Sequence, residues 1–98
     1  MKNIIENLDK VFESRIRLGV MSILIVSEPV DFNTLKQMLN VTDGNLASHI
    51  SALEKNKYIK IKKKIIGKKT NTAYSVTDSG RRTFTNHLNA LEQLIKNK

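Results

Sequence analysis

Several residue types that would support other functions are missing or scarce in this 98-residue sequence. There is no cysteine, which excludes disulfide bonds, thiolate metal ligands and thiol redox chemistry. Aromatic residues make up only 5 %, so the interleaved rings on which single-stranded nucleic acid stacks are lacking. The N-terminus, MKNIIEN, carries a charge every few residues and has no long apolar run, which argues against a secretory signal or a membrane span. The sequence therefore predicts a cytoplasmic protein.

No stretch rich in proline, glycine or serine interrupts the sequence, and no segment repeats. We therefore expect one domain over residues 1–98. A chain of this length buries a modest core, so a partner subunit would add stability.

Patterns that indicate an enzyme are also missing. Gly67 to Thr70 resembles the end of a phosphate-binding loop, but Lys62 stands where the earlier glycine is required. Ser79 and His87 are too far apart on one helix to act as a nucleophile and its base. No cofactor motif and no paired carboxylates are visible, and His49 and His87 alone do not make a metal site. The expectation is a protein without enzymatic activity, cofactor or metal.

Positive charge is concentrated in one segment. The chain has 17 basic and 9 acidic residues, a formal net charge of +8. Eight lysines and no acid lie between Lys55 and Lys69, whereas basic residues do not outnumber acidic ones in residues 1–54. A local concentration of this kind indicates a nucleic-acid contact more than general solubility, although lysines also protect the edge of a solvated strand.

Apolar residues at helical spacing predict three helices in the first part of the chain. The first runs from near Ser14 to about Val26. The second is short, with Asn33 as its N-cap, and Asn40 after it is expected to adopt a left-handed backbone in a sharp turn. Thr42 then caps a third helix that ends near residue 55.

The period changes to two from Tyr58, which predicts a strand, a turn over residues 67–71 and a returning strand. Thr77 caps a last helix that extends towards the C-terminus. The predicted fold is α+β and mainly helical: a winged helix-turn-helix with a three-helix core, a β-hairpin wing and a C-terminal dimerisation helix.

Two surfaces of this arrangement are expected to bind DNA. The helix over residues 42–55 fits a major groove, where asparagine pairs with adenine and serine or histidine contacts base edges. Its candidate site residues are Thr42, Asp43, Gly44, Asn45, Ser48 and His49. The wing, residues 60–72, is expected on phosphates or in the minor groove through Lys62, Lys64, Lys68, Lys69, Thr70 and Asn71.

The sequence resembles the small stand-alone winged helix-turn-helix regulators of the ArsR/MarR type. The resemblance covers roughly residues 8–94. It is carried by Leu18 with Val20-Met21, Asp31-Phe32 through Leu35, Val41 to Ile50 with Leu53-Glu54, Tyr58-Ile59, Gly67-Lys68-Lys69 and Thr72 to Gly80. It implies a prokaryotic, dimeric regulator that binds operator DNA and represses or activates transcription, with repression favoured.

The sequence departs from this family at a few positions. Asn40 stands where the family often has glycine, and Arg15 stands where it often has proline. Metal-sensing members use cysteine and histidine clusters, which this sequence lacks. A small-molecule effector of another kind, the operator sequence and the regulated genes are left open.

Apolar residues near both termini are expected to form a dimer interface. They lie in two segments, 1–12 and 78–98, where a single small domain has little left to cover. The candidate interface residues are Ile4, Ile5, Leu8, Phe12, Phe84, Leu88, Leu91 and Ile95. The alternative to a homodimer on double-stranded DNA is a winged-helix module that binds RNA or a protein partner.

Overall fold

The structure, a computed structural model, describes residues 5–67 and 69–96, and at residues 64–66, 69 and 70 it describes the backbone. A short 3-10 turn over Lys10–Phe12 precedes the regular elements. The helices and strands are α1 (Arg15–Val26), β1 (Val30–Asp31), α2 (Phe32–Leu39), α3 (Asp43–Lys55), β2 (Ile59–Ile66), β3 (Lys69–Val76) and α4 (Asp78–Lys96). This is the winged helix fold that the sequence predicts.

Each of the helices α1 to α4 begins at a side chain that accepts a backbone N–H. The Ser14 hydroxyl accepts from Arg17 N at 3.3 Å, the Thr42 hydroxyl from Asn45 N at 3.2 Å, and the Thr77 hydroxyl from Gly80 N at 2.9 Å. These caps satisfy donors that the first turn of a helix leaves without an intrahelical acceptor. The predicted caps at Thr42 and Thr77 are confirmed, and Ser14, near which the first helix was expected to start, is its cap.

The predicted cap of α2 at Asn33 is wrong. The carboxylate of Asp31 accepts from Thr34 N at 2.7 Å, so the helix begins at Phe32. Asp31 also belongs to β1, whose pairing with β3 holds it in the extended backbone that an N-cap needs. Hydrogen bonds from Thr34 lower the pKa of the Asp31 carboxyl, which keeps the cap ionised.

The turn between α2 and α3 is made by one residue in the left-handed region. Asn40 has φ 53° and ψ 55°. Its N–H donates to Gln37 O, and the N–H of Val41 donates to Lys36 O, both at 3.3 Å. Two such bonds satisfy the last carbonyls of a helix and reverse the chain abruptly. The predicted left-handed turn at Asn40 is confirmed, and it sets the angle at which α3 leaves α2.

The sheet has the order β1-β3-β2 and is antiparallel throughout. The hairpin of β2 and β3, called the wing below, places Ile59 opposite Val76 and turns at Gly67, whose φ is 63°. The side chain of Ile59 is buried, whereas that of Ile61 is 39 % exposed. The wing therefore packs on the helices at its base and projects into solvent beyond it.

The core lies between α1, the buried faces of α2 and α3, the base of the wing and the first half of α4. Its fully buried side chains are Phe12, Val20, Met21, Leu24, Leu35, Leu46 and Leu53. Phe12 contacts the rings of Tyr58, Phe84 and His87 with centroids 5.2–5.3 Å apart.

The prediction that Phe12 and Phe84 lie in a dimer interface is therefore wrong. Their side chains are 0 % and 2 % exposed within one chain and contact each other edge to face. The 3-10 turn carries Phe12 into the protein, where it fills the space between the wing and α4. A ring enclosed in this way has no surface left for a partner.

Polar contacts hold the segment before α1 in the same place. The N–H of Asp9 donates to Nδ1 of the buried His87 at 3.0 Å, and the Tyr58 hydroxyl donates to the Asp9 carboxylate at 2.8 Å. Burial and the neighbouring Asp9 carboxylate raise the pKa of Tyr58. Asp9 therefore links the N-terminal segment, the base of the wing and α4.

Gly80 lies in the first turn of α4, where the helix passes directly over the backbone of Tyr58. A Cβ added at Gly80 would lie 2.0 Å from the Tyr58 carbonyl oxygen. That oxygen cannot simply move away, because it accepts from Thr77 N at 3.0 Å. We expect Gly80→Ala to lower the free energy of unfolding by about 3 kcal/mol, at the upper end of the cost of overpacking. Urea denaturation measures this change.

A matched control for Gly80 exists in the first turn of α3. A Cβ at Gly44 would meet no atom within 4 Å, so Gly44→Ala is expected to leave the stability unchanged or raise it by up to about 1 kcal/mol. Equal stabilities for the two variants would show that α4 does not pass this close to Tyr58.

Candidate nucleic-acid interface

Helix α3 has one buried face and one polar, exposed face. Leu46, Ile50 and Leu53 are buried against the other helices. Five of the six sequence-predicted site residues of this helix are exposed: Thr42, Asp43, Gly44, Asn45 and Ser48. The 13 residues of α3 span about 20 Å at 1.5 Å per residue, and a helix of this kind fits a major groove about 12 Å wide.

Two of the predicted site residues, Thr42 and Asp43, make contacts within the protein at the N-terminus of α3. Thr42 is exposed, but its hydroxyl accepts from Asn45 N as the N-cap. The Asp43 carboxylate forms an ion pair with Lys36 Nζ of α2 at 2.8 Å. This exposed pair adds little stability, but it offsets a negative charge that would otherwise repel phosphate at this end of the helix.

The sixth predicted residue of α3, His49, is half-buried beside α1. Its Nδ1 lies 3.1 Å from Arg17 Nη1, and the Arg17 Nε donates to the carbonyl of Val11. Desolvation by burial, and then the Arg17 charge, lower the pKa of His49. The imidazole is therefore neutral at neutral pH.

Arg17 is a residue that the sequence analysis missed. It lies 32 residues before His49, so no helical or strand period connects the two. The exposed Arg15 lies near it on α1 and borders a groove of about 450 Å³ whose other side includes Thr42 and Asn45. The first turn of α1 therefore adds two cations next to the polar face of α3.

The wing carries exposed lysines along β2. The side chains of Lys60, Lys62 and Lys63 are exposed. Lys64, Lys69 and Thr70 are paired as backbone in the hairpin, and their side chains lie outside the described residues, as does the whole of Lys68. The predicted wing contacts at those four residues stay predictions.

Asn71 has a structural role that the sequence analysis did not foresee. It is half-buried on β3, and its side chain adds to the hydrogen bonds on the Asp31 carboxylate that Thr34 dominates. The side chain of Asn71 therefore acts on the residue that caps α2, although Asn71 itself lies on the wing.

The apolar residues near the termini fall into two groups. Phe12 and Phe84 belong to the core, as described above. Ile5, Leu88 and Ile95 are 56 %, 45 % and 69 % exposed. Leu8 and Leu91 are half-buried, and Ile4 lies outside the described residues.

Residues 5–67 and 69–96 contain no group of three or more histidine, cysteine or acidic side chains placed to hold a metal ion. Within the same residues, no helix has the length and apolar character needed to cross a membrane.

A tight turn between α2 and α3, a polar α3 and a lysine-bearing hairpin define a winged helix-turn-helix protein. Residues 16–95 match the family described as winged helix DNA-binding domain. The chain belongs to this family.

Two relatives are more than 30 % identical to this chain, and one of them is described as a transcriptional regulator homologue. An uncharacterized protein of Methanocaldococcus jannaschii is 38 % identical over 88 residues, which are 90 % of this chain and 96 % of the relative. A transcriptional regulator homologue from Pyrococcus horikoshii OT3 has a solved structure that is 32 % identical, with a TM-score of 0.77 and coverage of 94 % of this chain and 96 % of the other.

A more distant solved structure is that of Bacillus subtilis PadR in complex with operator DNA. It is 14 % identical, with a TM-score of 0.68, and the match covers 76 % of this chain and 47 % of PadR. Identity at this level shows the shared fold alone. The resemblance to regulators is thus confirmed for the winged helix DNA-binding domain, whereas the narrower ArsR/MarR assignment is not confirmed.

The exposed amide of Asn45 generates a prediction about base reading. Asn45→Ala should weaken binding to a duplex selected from a random pool by about 1 to 3 kcal/mol and leave binding to random duplex almost unchanged, because base contacts specify and phosphate contacts position. Fluorescence anisotropy with both duplexes measures the difference.

The control for Asn45 is Asn89→Ala, which removes the same side chain from an exposed position on α4. It should change neither affinity. Equal losses on selected and random duplex for Asn45→Ala would show that α3 does not read bases through this residue.

Proposed function

We propose that this protein is a homodimeric transcriptional regulator that binds double-stranded DNA in a sequence-specific manner and acts as a repressor. Helix α3 enters the major groove, and the wing lies on phosphates or in the adjoining minor groove. The observation that carries the proposal is the exposed polar face of α3, with Gly44, Asn45 and Ser48, next to a projecting wing of exposed lysines.

The wing lysines are free to bind phosphate. The ion pairs among the described residues use Lys36, Arg81 and Lys96, and none uses Lys60, Lys62 or Lys63. Unpaired lysines on a projecting hairpin neutralise phosphates and release the counterions condensed on DNA. This charge supports affinity for duplex, while α3 supports the choice of sequence.

The second part of the proposal is the dimer. The buried positions of α4 end at Ala90, whereas Ile95 is exposed in the last turn. The helix is about 28 Å long at 1.5 Å per residue, and its second half carries an apolar stripe that one chain leaves partly uncovered. Two-fold packing of this stripe and of Ile5 against a second copy would cover both.

A symmetric dimer also explains what the protein would recognise. Two recognition helices related by a two-fold axis read half-sites about 34 Å apart, so the operator is expected to be an inverted repeat. A bound dimer covers the DNA that it reads, and repression by occlusion follows from binding alone. The Pyrococcus horikoshii relative, described as a transcriptional regulator homologue, supports a role in regulating transcription.

The first test is the salt dependence of duplex binding. If a dimer neutralises about 6 to 10 phosphates, the slope of log K against log salt is about −5 to −9. The double variant Lys62→Ala/Lys63→Ala should flatten the slope by about 3 to 4 units, because it removes two cations from each chain. Sequence preference should change little.

The control for the wing lysines is Lys96→Ala, whose ammonium is paired with Glu92 on α4 at 2.6 Å. It should leave the slope unchanged. A wild-type slope near zero would contradict DNA binding, and tighter binding to duplex RNA than to DNA would favour the alternative of an RNA-binding module.

The second test concerns the dimer. The double variant Leu88→Asp/Leu91→Asp places two carboxylates in the proposed interface, where desolvating them costs several kcal/mol. We expect monomers that keep their helical content and lose operator affinity. Sedimentation and circular dichroism measure both properties.

The control for the dimer test is Val26→Asp. Val26 is 83 % exposed at the end of α1 and lies outside the proposed interface. The variant therefore adds a carboxylate to an exposed apolar position that a partner does not cover. It should remain dimeric. A wild-type protein that sediments as a monomer at tens of micromolar would contradict the two-fold arrangement.

A further inference from the structure

Arg17 connects α1 to α3 through its guanidinium. Its Nε donates to the carbonyl of Val11, which fixes the plane of the group, and its Nη1 lies 3.1 Å from Nδ1 of His49. The backbone N–H of Arg17 is bound in turn by the Ser14 hydroxyl at 3.3 Å. The guanidinium therefore reaches His49 from a fixed position on α1.

This contact determines which nitrogen of His49 carries the proton. A guanidinium is a donor at every N–H and has no acceptor. The nitrogen that faces it must accept, so Nδ1 is unprotonated and the proton of the neutral ring resides on Nε2. Among the described residues Nε2 has no hydrogen-bond partner, and the ring is partly exposed.

We propose that Arg17 is a positioning residue that fixes the tautomer of His49, so that His49 offers a single N–H donor to the major groove and selects bases with acceptors there. Guanine presents N7 and O6, adenine presents N7 and thymine presents O4, whereas cytosine presents only its amino group, a donor that Nε2–H would oppose. The base-selecting role rests on the proposed DNA binding. The tautomer of His49 is a property of the free protein and does not depend on DNA binding.

The Arg17 contact requires the His49 ring to be neutral. Burial and the Arg17 charge lower the pKa of His49, so the ring is neutral at neutral pH and gains its second proton only in more acidic solution. That proton would enter at Nδ1 and face the guanidinium, donor against donor. The Arg17 contact is therefore present above the lowered pKa and is lost as the pH falls through it. Arg17 is the charged group that acts on the ring.

A purely structural role for Arg17 predicts a different outcome. If the arginine only joined α1 to α3, its removal would reduce stability and affinity for every sequence alike. If it fixes the tautomer, its removal lets the ring adopt either neutral form, which can then donate or accept. The base preference at one position should then relax, whereas loss of the Arg17 charge alone would lower the affinity for every sequence by the same factor.

The first experiment measures the tautomer directly in free protein. Long-range 1H–15N correlation spectra at pH 8 distinguish a protonated Nε2 from a protonated Nδ1. We expect His49 to be protonated on Nε2 in the wild type and to become a mixture of tautomers in Arg17→Met, which keeps an unbranched side chain and removes every donor.

His87 is an internal reference for this spectrum. Its Nδ1 accepts from Asp9 N at 3.0 Å, so it should show the same tautomer as His49 in the wild type. Arg17→Met should leave the His87 signals unmoved, which would also show that the variant is folded. A His49 protonated on Nδ1, or one unaffected by Arg17→Met, overturns the proposal.

The second experiment measures base selection from a random duplex pool. Wild type should enrich guanine, adenine or thymine over cytosine at one position of each half-site by about fivefold to tenfold, the discrimination expected of one good base contact. Arg17→Met and His49→Gln should each reduce this enrichment to about twofold, since a glutamine amide both donates and accepts. Arg17→Lys, which retains a donor, should restore part of it.

The two experiments separate the possible failures. Enrichment that is unchanged in Arg17→Met overturns the base-selecting role while the proposed function stands. Absence of duplex binding by wild type contradicts the proposed function and the base-selecting role together, and the spectrum of the free protein then still decides whether Arg17 fixes the tautomer.

Discussion

The ring of Phe12 holds together three segments that are far apart along the chain. It contacts Tyr58 at the base of the wing and Phe84 and His87 on α4, and it is fully buried. A small domain has few such contacts to spare, because it buries a smaller fraction of its surface than a large one. The orientation of α4 relative to the wing therefore depends on an aromatic side chain from the segment before α1, together with the contacts of Gly80 and Thr77 with Tyr58. Any arrangement of two α3 helices across a dimer depends on the same contacts.

Helix α4 consequently serves two purposes along its length. Its first half supplies Gly80, Phe84 and His87 to the core, and only its second half offers apolar side chains to a partner. The sequence shows one continuous apolar stripe and contains no sign of the point where it leaves the core. That point lies where the other elements of the fold no longer contact α4, and this depends on how all of the elements pack together.

Features governed by neighbouring residues could be predicted from the sequence. Asn40 adopts the left-handed turn, and Thr42 and Thr77 cap their helices, since each depends on atoms within four residues. The cap of α2 was predicted at the wrong residue because Asp31 gains its geometry from β3, more than forty residues away, through a strand only two residues long.

The polar face of α3 could be predicted in the same way, from the spacing of Leu46, Ile50 and Leu53. The contact between Arg17 and His49 could not, because it depends on how closely α1 and α3 approach, and neither residue type has a fixed partner. The role of Asn71 beside Asp31 was missed for a similar reason. Local chemistry thus indicates the surface, and the packing of distant elements determines how its side chains are held.

Left-handed residues stand at both ends of α3, Asn40 before it and Lys57 after it, with φ of 53° and 62°. After Lys57 the chain continues at once into Tyr58 and the wing. One residue added to α3 would turn everything beyond it by about 100° and shift it by 1.5 Å, so the wing would leave the side of the protein on which α3 is exposed. The helix can change its exposed side chains freely, but its length cannot change in single steps. New binding preferences are therefore expected from substitutions in α3, whereas a single-residue insertion or deletion in α3 would displace the wing.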